Sequence, residues 1–504
     1  MNVVWFKRDL RINDHAPLMM AIKHGKIIPL YILEPKLWQQ PDLSFRHYKF
    51  LSECLLALNE EFQKIGHKLI IKVGDALNIF NKIHKEHSIK TLYSHQETWN
   101  DWSYKRNKRV TKWLKENNIK WVEFPNNGVV RDIKSRDKWS QNWYKEMTKS
   151  IIPAPSYMES INILSDFLPS AEDLKLSDNQ YMASQIGGRS TAMKLLNNFL
   201  YDRGEKYYKE MSSPISAVKS CSRISPYLAF GVLSMREIFQ SVKKRILEIK
   251  QKASEYRGKW LISLRSFSSR LRWHCHFIQK LEDQPNIEFT NMNSYYDGLR
   301  ENSFNNEYYE AWKVGKTGYP MIDACMRSLI TTGWINFRMR AMLMSFASYH
   351  LWLHWHKTSL YLSNLFLDYE PGIHYSQTQM QSGTTGINSI RIYNPIKQGV
   401  DHDPKGIFIK KWIPELCDMP EEYIHTPWEH TNKIKSYPLP IVNEKEVRKY
   451  AMRMLYSLRR ESDHKELNKH ILEKHGSRKP GIKKMKKKKV TSKLIINQQK
   501  ELIL

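Results

Sequence analysis

Cysteine is scarce in this chain, and its cysteines form no pattern. Cys54, Cys221, Cys275, Cys325 and Cys417 lie far apart, and no CxxC pair occurs among them. The disulfide framework of a small secreted domain needs an even set of cysteines, and an iron–sulfur cluster needs clustered ones. We therefore expect neither structural disulfides nor an iron–sulfur cluster.

Long apolar runs are also missing. The opening MNVVWFKRDL has no extended apolar segment like that of a signal peptide. No other run approaches the roughly 20 apolar residues that a membrane span requires. We therefore predict a cytoplasmic protein that does not enter the membrane, and we expect a monomer.

Acidic residues are too few to balance the basic ones. Lys and Arg number 80 against 51 Asp and Glu, which gives a formal net charge of +29. Such an excess is typical of chains that bind phosphate backbones, so nucleic acid is the first candidate partner. Part of the excess lies in RKPGIKKMKKKKV (478–490), which is either a phosphate-binding arm or a solvated tail.

Short apolar runs alternate with helical patterns at the start of the chain. The runs NVVWF, IIPLYIL, KLIIKV, TLYSH and WVEF predict buried strands, and FRHYKFLSECLLALNEEFQKIG has the spacing of a helix. This alternation predicts a doubly wound parallel sheet. The first strand is followed by KRDLRINDHAPL instead of GxGxxG, so the usual dinucleotide site is not expected.

The pattern changes along the chain. Its 504 residues exceed the about 250 to 300 that one core usually holds, so more than one domain is expected. Beyond a proline-containing stretch, the apolar patterns are helical. The predicted parts are an α/β domain (1–131), an interdomain linker (132–178), an all-α domain (179–440) and a basic C-terminal extension (441–504).

Polar residues in the helical part could bind a phosphorylated or planar ligand. In KSCSRISPYLAFGVLS, Ser222, Arg223 and Ser225 precede a helix, where they either cap it or hold a phosphate. Asp368 precedes a Pro-Gly pair, and a buried carboxylate there needs a partner. Arg340, in a predicted long helical run after GKTGYP, is the candidate.

Histidine pairs in the helical part do not form a recognisable metal motif. His274 and His276 are two residues apart and would not share a helix face. His350 and His354 lack the Glu of HExxH, so we predict no metal site. Trp273, beside the first pair, offers a ring that can stack on a base.

The chain resembles the photolyase/cryptochrome family over nearly its whole length. The matching motifs keep the family's order and spacing: VVWFKRDLRINDHAPL, SRISPYLAFGVLS, AWKVGKTGYPMIDACMRSLITTGW, RIYNPIKQG and FIKKWIPEL. The resemblance implies an α/β antenna domain and a helical domain that holds FAD. In a photolyase, excited reduced flavin gives an electron to a pyrimidine dimer flipped out of DNA, and the electron returns after the dimer splits.

The resemblance also implies roles for individual residues. We predict catalytic roles for Trp273, Trp355 and His374. Contact with DNA containing a pyrimidine dimer is predicted for Arg270, Trp273, Asn336 and Phe337, with Trp273 stacked on the lesion. The predicted FAD-binding residues are Tyr207 or Tyr208 near the adenosine, Ser222, Arg223 and Ser225 at the phosphates, Trp334 in the helix beside the flavin, Arg340 and Asp368 as a salt bridge over the ring, Glu370 where an Asp is usual, and His374 near flavin N5.

Two departures from the family pattern affect the predicted substrate and flavin contacts. Phe337 stands where repairing members carry an asparagine that contacts the lesion. His374 stands where photolyases usually carry Asn, and a histidine there could donate to N5 or change its protonation near neutral pH.

The tryptophan chain that photoreduces the flavin in the family is interrupted. Trp355 matches its middle member, but Thr378 and Asn302 fall at the proximal and distal positions. Another route could replace it, and the candidate aromatic residues, which could equally be core, are Tyr309, Trp352 and Tyr393.

The second chromophore is left open. Asn100 and Asp101 align with the family's folate-contacting pair, whereas Trp99 and Trp102 could fill the cleft instead of a folate or deazaflavin. The paired histidines of (6-4) photolyases are absent near Trp334, which favours cyclobutane dimers. The sequence thus predicts a DNA photolyase, with a cryptochrome-like blue-light photoreceptor as the alternative.

Overall fold

A parallel sheet with flanking helices forms the first part of the molecule, and the rest is helical. The basic run 478–490 lies outside the residues that the structure describes. The computed structural model describes residues 1–161, 163–178, 180–182, 185–430, 436–460 and 462–476.

Five strands form the sheet in the order β3-β2-β1-β4-β5, and every neighbouring pair is parallel. The predicted strands and the doubly wound sheet are therefore confirmed. The order reverses between β1 and β4, which is where such folds open a crevice at the carboxyl ends of their strands. The strands are β1 (Asn2–Phe6), β2 (Ile27–Leu33), β3 (Ile70–Val73), β4 (Thr91–His95) and β5 (Lys120–Phe124).

Both faces of the sheet are covered, because successive strand residues point to opposite sides. In β1, Val4 and Phe6 join one hydrophobic cluster, whereas Val3 and Trp5 join another. This explains why the strand is apolar at every position. The helices of this part are α1 (Ala16–Lys23), α2 (Pro35–Trp38), α3 (Phe45–Gln63), α4 (Ala76–His87) and α5 (Asp101–Glu116).

The predicted linker contains a helix that the sequence analysis missed. Helix α6 (Trp139–Met147) buries Trp139, Trp143 and Met147, which are spaced four residues apart and therefore share one face. Further along, the backbone of Ile27 in β2 bonds to residues 159 and 161. The segment thus packs against the sheet region, while the proposed domain limits stay predictions.

The remaining chain is helical, as predicted. It includes a π-helix (Phe346–His350) and several short 3₁₀ turns. The helices are α7 (Arg189–Tyr201), α8 (Tyr207–Glu210), α9 (Ala217–Ser220), α10 (Ser225–Ala229), α11 (Met235–Gln251), α12 (Trp260–Asp283), α13 (Asn306–Lys313), α14 (Pro320–Thr332), α15 (Phe337–Ser345), α16 (Trp355–Leu365), α17 (Pro371–Ser382), α18 (Pro395–His402), α19 (Ile407–Trp412), α20 (Glu444–Arg460) and α21 (Ser462–His475).

The prediction that Trp334 lies within a long helix is wrong. Helix α14 ends at Gly333, whose φ of 71° is left-handed and favours glycine, and α15 begins only at Phe337. Trp334 therefore lies in the connection between two helices, where it is buried.

The predicted basic extension begins with two packed helices. In α20, Ala451 and Leu455 are buried against Tyr296 and Tyr349. His475, the last residue of α21, bonds to Gln284 near the end of α12 at 2.7 Å. Among the described residues, no helix has both the length and the apolar composition to cross a membrane.

Candidate functional site

A partly buried salt bridge joins α15 to the loop before α17. Nη1 of Arg340 lies 2.8 Å from Oδ1 of Asp368, and Nη2 lies 3.0 Å from Oδ2, so the guanidinium binds the carboxylate with both arms. Nε of Arg340 donates to the carbonyl of Ile335 at 2.8 Å. The pairing expected between Arg340 and Asp368 is therefore present.

The carboxylate of Asp368 is held in its ionised form. Burial by itself raises the pKa of Asp368, but the charge and hydrogen bonds of Arg340, together with a hydrogen bond from Ser225, lower that pKa below its ordinary value. Ser225 is the first residue of α10. The carboxylate thus connects three separate elements of the helical part.

Arg223 lies beside this pair in an unusual backbone conformation. Its φ is 61°, which costs energy for a residue other than glycine. Gln185 holds it: Oε1 of Gln185 accepts from Nη2 of Arg223 at 3.1 Å, and Nε2 donates to the carbonyl of Arg223. The guanidinium stacks over the ring of Trp334 at 4.0 Å. Burial lowers the pKa of Arg223 to about 10, so it stays cationic at neutral pH.

The residues before α10 are fixed by hydrogen bonds to their backbone. Nη2 of Arg203 donates to the carbonyl of Ser222 at 2.8 Å, and Nη1 donates to the carbonyl of Cys221. Tyr207 is buried, and burial raises the pKa of its phenol, which bonds to Arg270. We call Ser222, Arg223, Ser225, Arg340 and Asp368 together the central site.

A cavity opens next to the central site, at the carboxyl ends of β1 and β4. It is lined, among others, by Arg8, Trp99, His274, Ile278 and Glu370. Nδ1 of His274, Oε1 of Glu370 and Nε1 of Trp99 are buried without a hydrogen-bond partner. Buried polar atoms normally have partners, so these three indicate that a polar ligand belongs in the cavity.

The carboxyl of Glu370 in this cavity is about half-protonated at neutral pH. Burial raises its pKa to about 7, although the positive charge of Arg8 opposes the shift. Close packing positions this residue, because a Cβ added at Gly372 would lie 2.6 Å from Cα of Ile278. Helix α17 can therefore start against the backbone of α12, which carries His274.

The surroundings of His374 bear on the two alternatives expected of it, which were donation to flavin N5 and a change of protonation near neutral pH. Its Nε2 lies 2.8 Å from the carbonyl of Ser359, and a carbonyl only accepts, so Nε2 carries the proton and Nδ1 of the neutral ring is an acceptor. Burial lowers the pKa of His374 to about 4. The expectation that His374 changes protonation near neutral pH is therefore wrong.

The predicted substrate contacts differ in their exposure. Trp273 is half-buried and Arg270 is exposed on α12, and Phe337 is 51% exposed at the start of α15. Asn336, in contrast, is buried, and its Nδ2 donates to the carbonyls of Met211 and Ser212. The geometry therefore favours a structural role for Asn336 over contact with DNA.

Trp355 is fully buried, and its Nε1 donates to Asn291 at 2.7 Å. Its ring lies 6.3 Å from the ring of Tyr375, measured between centroids. Thr378 is also buried, and Asn302 is exposed in a 3₁₀ turn. The aromatic neighbour of Trp355 on α17 is thus Tyr375, which the sequence analysis did not single out.

The residues aligned with a folate contact are hydrogen-bonded within the protein. Asn100 is buried, its Oδ1 accepts from the backbone of Ser103, and its Nδ2 donates to Asp42 at 3.0 Å. The backbone N–H of Asp101 donates to the buried carboxyl of Glu288. The amide of Asn100 thus caps α5 and bonds to Asp42, and a contact with a second chromophore stays a prediction.

One group of three potential metal ligands occurs among the described residues: Asp9, His15 and His95. Nδ1 of His15 accepts from the backbone of Leu18, so Nε2 carries the proton that it donates to Asp9 at 3.0 Å. Nδ1 of His95 lies 2.7 Å from the same carboxylate oxygen. These bonds explain the cluster as a hydrogen-bonded support for the loop after β1, and we assign no metal to it.

Other histidines that were considered lie apart. His350 is in the π-helix and faces Glu444, whereas His354 precedes α16 and faces Glu301. The residues that sequence reasoning missed are Gln185, His274 as a lining residue, and Tyr375. Their spacing carries no signal, because their partners are distant in the sequence.

Comparisons with known proteins identify both parts of the chain. The family model described as DNA photolyase matches residues 2–150, and the one described as FAD binding domain of DNA photolyase matches residues 267–457. The chain is 30% identical to cryptochrome-2 of Arabidopsis thaliana over 85% of its own length and 72% of that protein. It is 27% identical to a deoxyribodipyrimidine photo-lyase of Alkalihalophilus pseudofirmus over 90% and 97% of the two chains.

A solved structure has the same fold. The photolyase from Sulfolobus tokodaii, described with two FAD molecules and a novel light-harvesting cofactor, superposes with a TM-score of 0.74 at 25% identity. The match covers 91% of this chain and 100% of that one.

Proposed function

Because this chain belongs to the photolyase/cryptochrome family and carries its FAD-binding domain, we propose that it is a light-dependent DNA repair flavoprotein that splits cyclobutane pyrimidine dimers. In enzyme terms it is a deoxyribodipyrimidine photo-lyase. FAD is the chromophore of this proposal, and a second antenna chromophore, a folate or a deazaflavin, stays open as in the sequence analysis.

The central site and the adjoining cavity suit FAD. Arg223 and Arg340 supply two positive charges against the one negative charge of Asp368, which leaves an excess for the two phosphates of the cofactor. The unpartnered atoms of His274 and Glu370 match a ligand rich in hydroxyl and carbonyl groups.

Bound FAD would supply the light absorption and the electron, and the residues of the chain bind and orient it. Ser222, Arg223 and Ser225 would hold the phosphates, and the Arg340–Asp368 pair would fix the ring. Neutral His374 presents an acceptor at Nδ1, since Nε2 is bonded to Ser359. Its lowered pKa keeps this pattern constant around neutral pH.

The observation that carries the repair function is the exposure of Trp273 beside Arg270. Trp273 precedes the cavity-lining His274 on α12, so one helix offers a stacking ring outside and a cofactor contact inside. A flipped pyrimidine needs such a ring, and the phosphates of DNA need the cation. A flavoprotein that only signals needs neither.

The alternative is a cryptochrome-like photoreceptor. Asn336 is buried and Phe337 replaces a lesion-contacting residue, so two of the four predicted substrate contacts are weakened. Similarity to Arabidopsis cryptochrome-2 favours the same alternative. In a photoreceptor of this kind, helices α20 and α21 would be the segment whose packing changes with light.

The two functions are separated by a repair assay. FAD-loaded protein with chemically reduced flavin is mixed with an oligonucleotide that carries one cyclobutane thymine dimer, and dimer loss is followed under blue light and in the dark. Light-dependent loss of the dimer is expected, and Trp273→Ala should reduce it. If the protein, loaded with FAD and chemically reduced, leaves the dimer intact, the repair proposal fails. A (6-4) lesion and light-dependent protease protection of α21 would then be examined.

A further inference from the structure

A tyrosine occupies the space that the interrupted tryptophan chain leaves beside Trp355. Thr378, at the proximal position, has no ring, but Tyr375 precedes it by three residues on α17 and therefore lies on the same helix face. The rings of Tyr375 and Trp355 are 6.3 Å apart, and the ring of Tyr375 is 5.3 Å from that of His374. An oxidisable ring thus lies between Trp355 and the residue predicted near flavin N5.

Tyr375 ends a chain of buried hydrogen bonds. The hydroxyl of Tyr369 lies 2.8 Å from Oδ2 of Asp42 and 3.3 Å from the hydroxyl of Tyr375. Tyr369 has a single hydroxyl hydrogen, and the carboxylate at the shorter distance is the stronger acceptor, so Tyr375 donates to the oxygen of Tyr369. All three side chains are buried.

Asp42 is suited to accept a proton. Burial raises the pKa of Asp42, while hydrogen bonds from Asn100 and Tyr369 counteract this shift. The nearby carboxyl of Glu288 has its pKa raised to about 8, mainly by burial and then by the charge of Asp42. Asn100 and Tyr369 both donate to Oδ2 of Asp42, and these two hydrogen bonds favour its carboxylate form.

We propose that Tyr375 is the electron donor that reduces photoexcited oxidised FAD in this protein, with Tyr369 relaying the proton of Tyr375 to Asp42. One electron leaves the ring of Tyr375 for the flavin. Its hydroxyl proton moves to the oxygen of Tyr369 as the proton of Tyr369 moves to Asp42. Tyr375 becomes a neutral phenoxyl radical and Asp42 a carboxylic acid; a thiolate from solution then returns the electron, and Asp42 returns the proton.

Two of the three aromatic residues suggested by the sequence, Tyr309 and Trp352, are less well placed. Among the described residues, the ring contacts of Tyr309 are with Phe304, Trp312 and Tyr361, and that of Trp352 is with Tyr450. Neither set reaches Trp355 or Tyr375. Tyr375 also has a proton acceptor within two hydrogen bonds, which matters because a tyrosine loses its proton when it is oxidised.

The inference rests on the proposed light-dependent function and is tested by photoreduction. FAD-loaded protein with oxidised flavin is illuminated with a thiol present, and the rate of flavin reduction is followed. Tyr375→Phe keeps the ring but removes the hydroxyl, and it should slow reduction by roughly tenfold or more. Tyr361→Phe is the matched control, since Tyr361 is packed against Tyr309 and Trp312, and it should leave the rate unchanged.

Two further readouts identify the proton acceptor and the radical. The wild-type rate should fall in heavy water, and Asp42→Asn should slow reduction and remove this isotope effect. Protein made with ring-deuterated tyrosine should give a narrowed tyrosyl signal in electron paramagnetic resonance, and Tyr375→Phe should lack the signal. A wild-type rate in Tyr375→Phe, or a radical signal from tryptophan alone, would overturn the proposal even if Asp42→Asn does not fold.

The outcome is distinguishable from failure of the repair proposal. Chemical reduction of the flavin bypasses the donor, so Tyr375→Phe should repair dimers at the wild-type rate after that treatment. Wild-type protein that photoreduces through Tyr375 but repairs nothing would contradict only the repair function. Protein that repairs after chemical reduction, with Tyr375→Phe photoreducing normally, would contradict only the role of Tyr375.

Discussion

Two buried charged clusters of this molecule differ in how completely their groups are bonded. At the carboxyl end of the sheet, Arg106 pairs with Glu34 at 2.8 Å and with Glu97, and Lys7 lies near Glu97. In the helical part, Arg340 pairs with Asp368, but Glu370 close by has a buried oxygen without a partner. The first cluster balances its charges internally, and the second does not.

This difference separates a structural cluster from a ligand site. A balanced set of buried charges gains nothing from a ligand, since every group already has its bonds. A set with surplus positive charge and unpartnered acceptors is more stable once a polar anion enters. The same residue types thus serve the fold in one place and a cofactor in the other, and substitutions should tell the two apart.

The largest effect is expected from Arg340→Ala. The change leaves Asp368 as a buried, unpaired carboxylate, which costs roughly 3–5 kcal/mol by analogy with other broken buried pairs. The protein should fold with little or no FAD, measured as the ratio of flavin to protein absorbance after purification.

Arg106→Ala is the matched change in the balanced cluster. It should lower the free energy of unfolding by a similar amount, because Glu34 and Glu97 lose their partner. Since Lys7 and Glu97 also line the cavity, FAD occupancy should fall, but clearly less than in Arg340→Ala. Equal FAD loss in both variants would show that the two clusters do not differ as described.

A smaller effect is expected from Trp273→Ala. Loss of base stacking should weaken binding to DNA that carries a cyclobutane dimer by ~1–3 kcal/mol while FAD stays bound. Affinity is measured by fluorescence anisotropy with damaged and undamaged duplexes. Trp260→Ala, on the same helix and also partly buried, serves as the control, and an equal loss in both would argue against a lesion contact.

Glu370 should make FAD binding depend on pH. Burial raises its pKa to about 7, so the carboxyl is neutral below that pH and negative above it. FAD carries negative phosphates, so its affinity should fall as pH rises through about 7, by up to roughly tenfold per pH unit. Fluorescence of released FAD measures the affinity. Glu370→Gln should flatten the profile, and a step that persists in this variant would assign it to another group.

The smallest effect is expected from removing residues 478–504. If this basic segment binds phosphates, its deletion should weaken DNA binding at low salt and flatten the dependence of affinity on salt concentration. FAD occupancy should not change, because no residue of the central site belongs to this segment. A salt dependence identical to that of the full chain would exclude the segment as a phosphate-binding arm.

Much of the fold could be predicted because local patterns carry it. Strand β1 is apolar at every position since both faces of the sheet are covered, and this pattern was visible in NVVWF. Helix α6 was missed because its segment was assigned as a linker from the nearby prolines, although the four-residue spacing of Trp139, Trp143 and Met147 is a helical pattern. The break at Trp334 was missed because a single glycine, Gly333, ends α14.

The site was predictable only in part. The need of a buried carboxylate for a partner made Arg340 the candidate for Asp368, the family resemblance implied the same pair, and the pair is present. The burial of Asn336 and the bond from His374 to Ser359 were not predictable, because their partners belong to other elements. The roles of the other site residues stay predictions.

The sequence by itself determined the family, the parallel sheet, the helical part and the residue types of the central site. Periodicity and motif order can be read from the sequence without a structure. Only the tertiary structure decided which buried groups have partners: Asn100 bonds to Asp42 and Ser103, Glu370 is left with a free oxygen, and Tyr375 is connected to Asp42 through Tyr369. Hydrogen bonding and desolvation depend on neighbours far away in the chain, and folding alone brings those neighbours together.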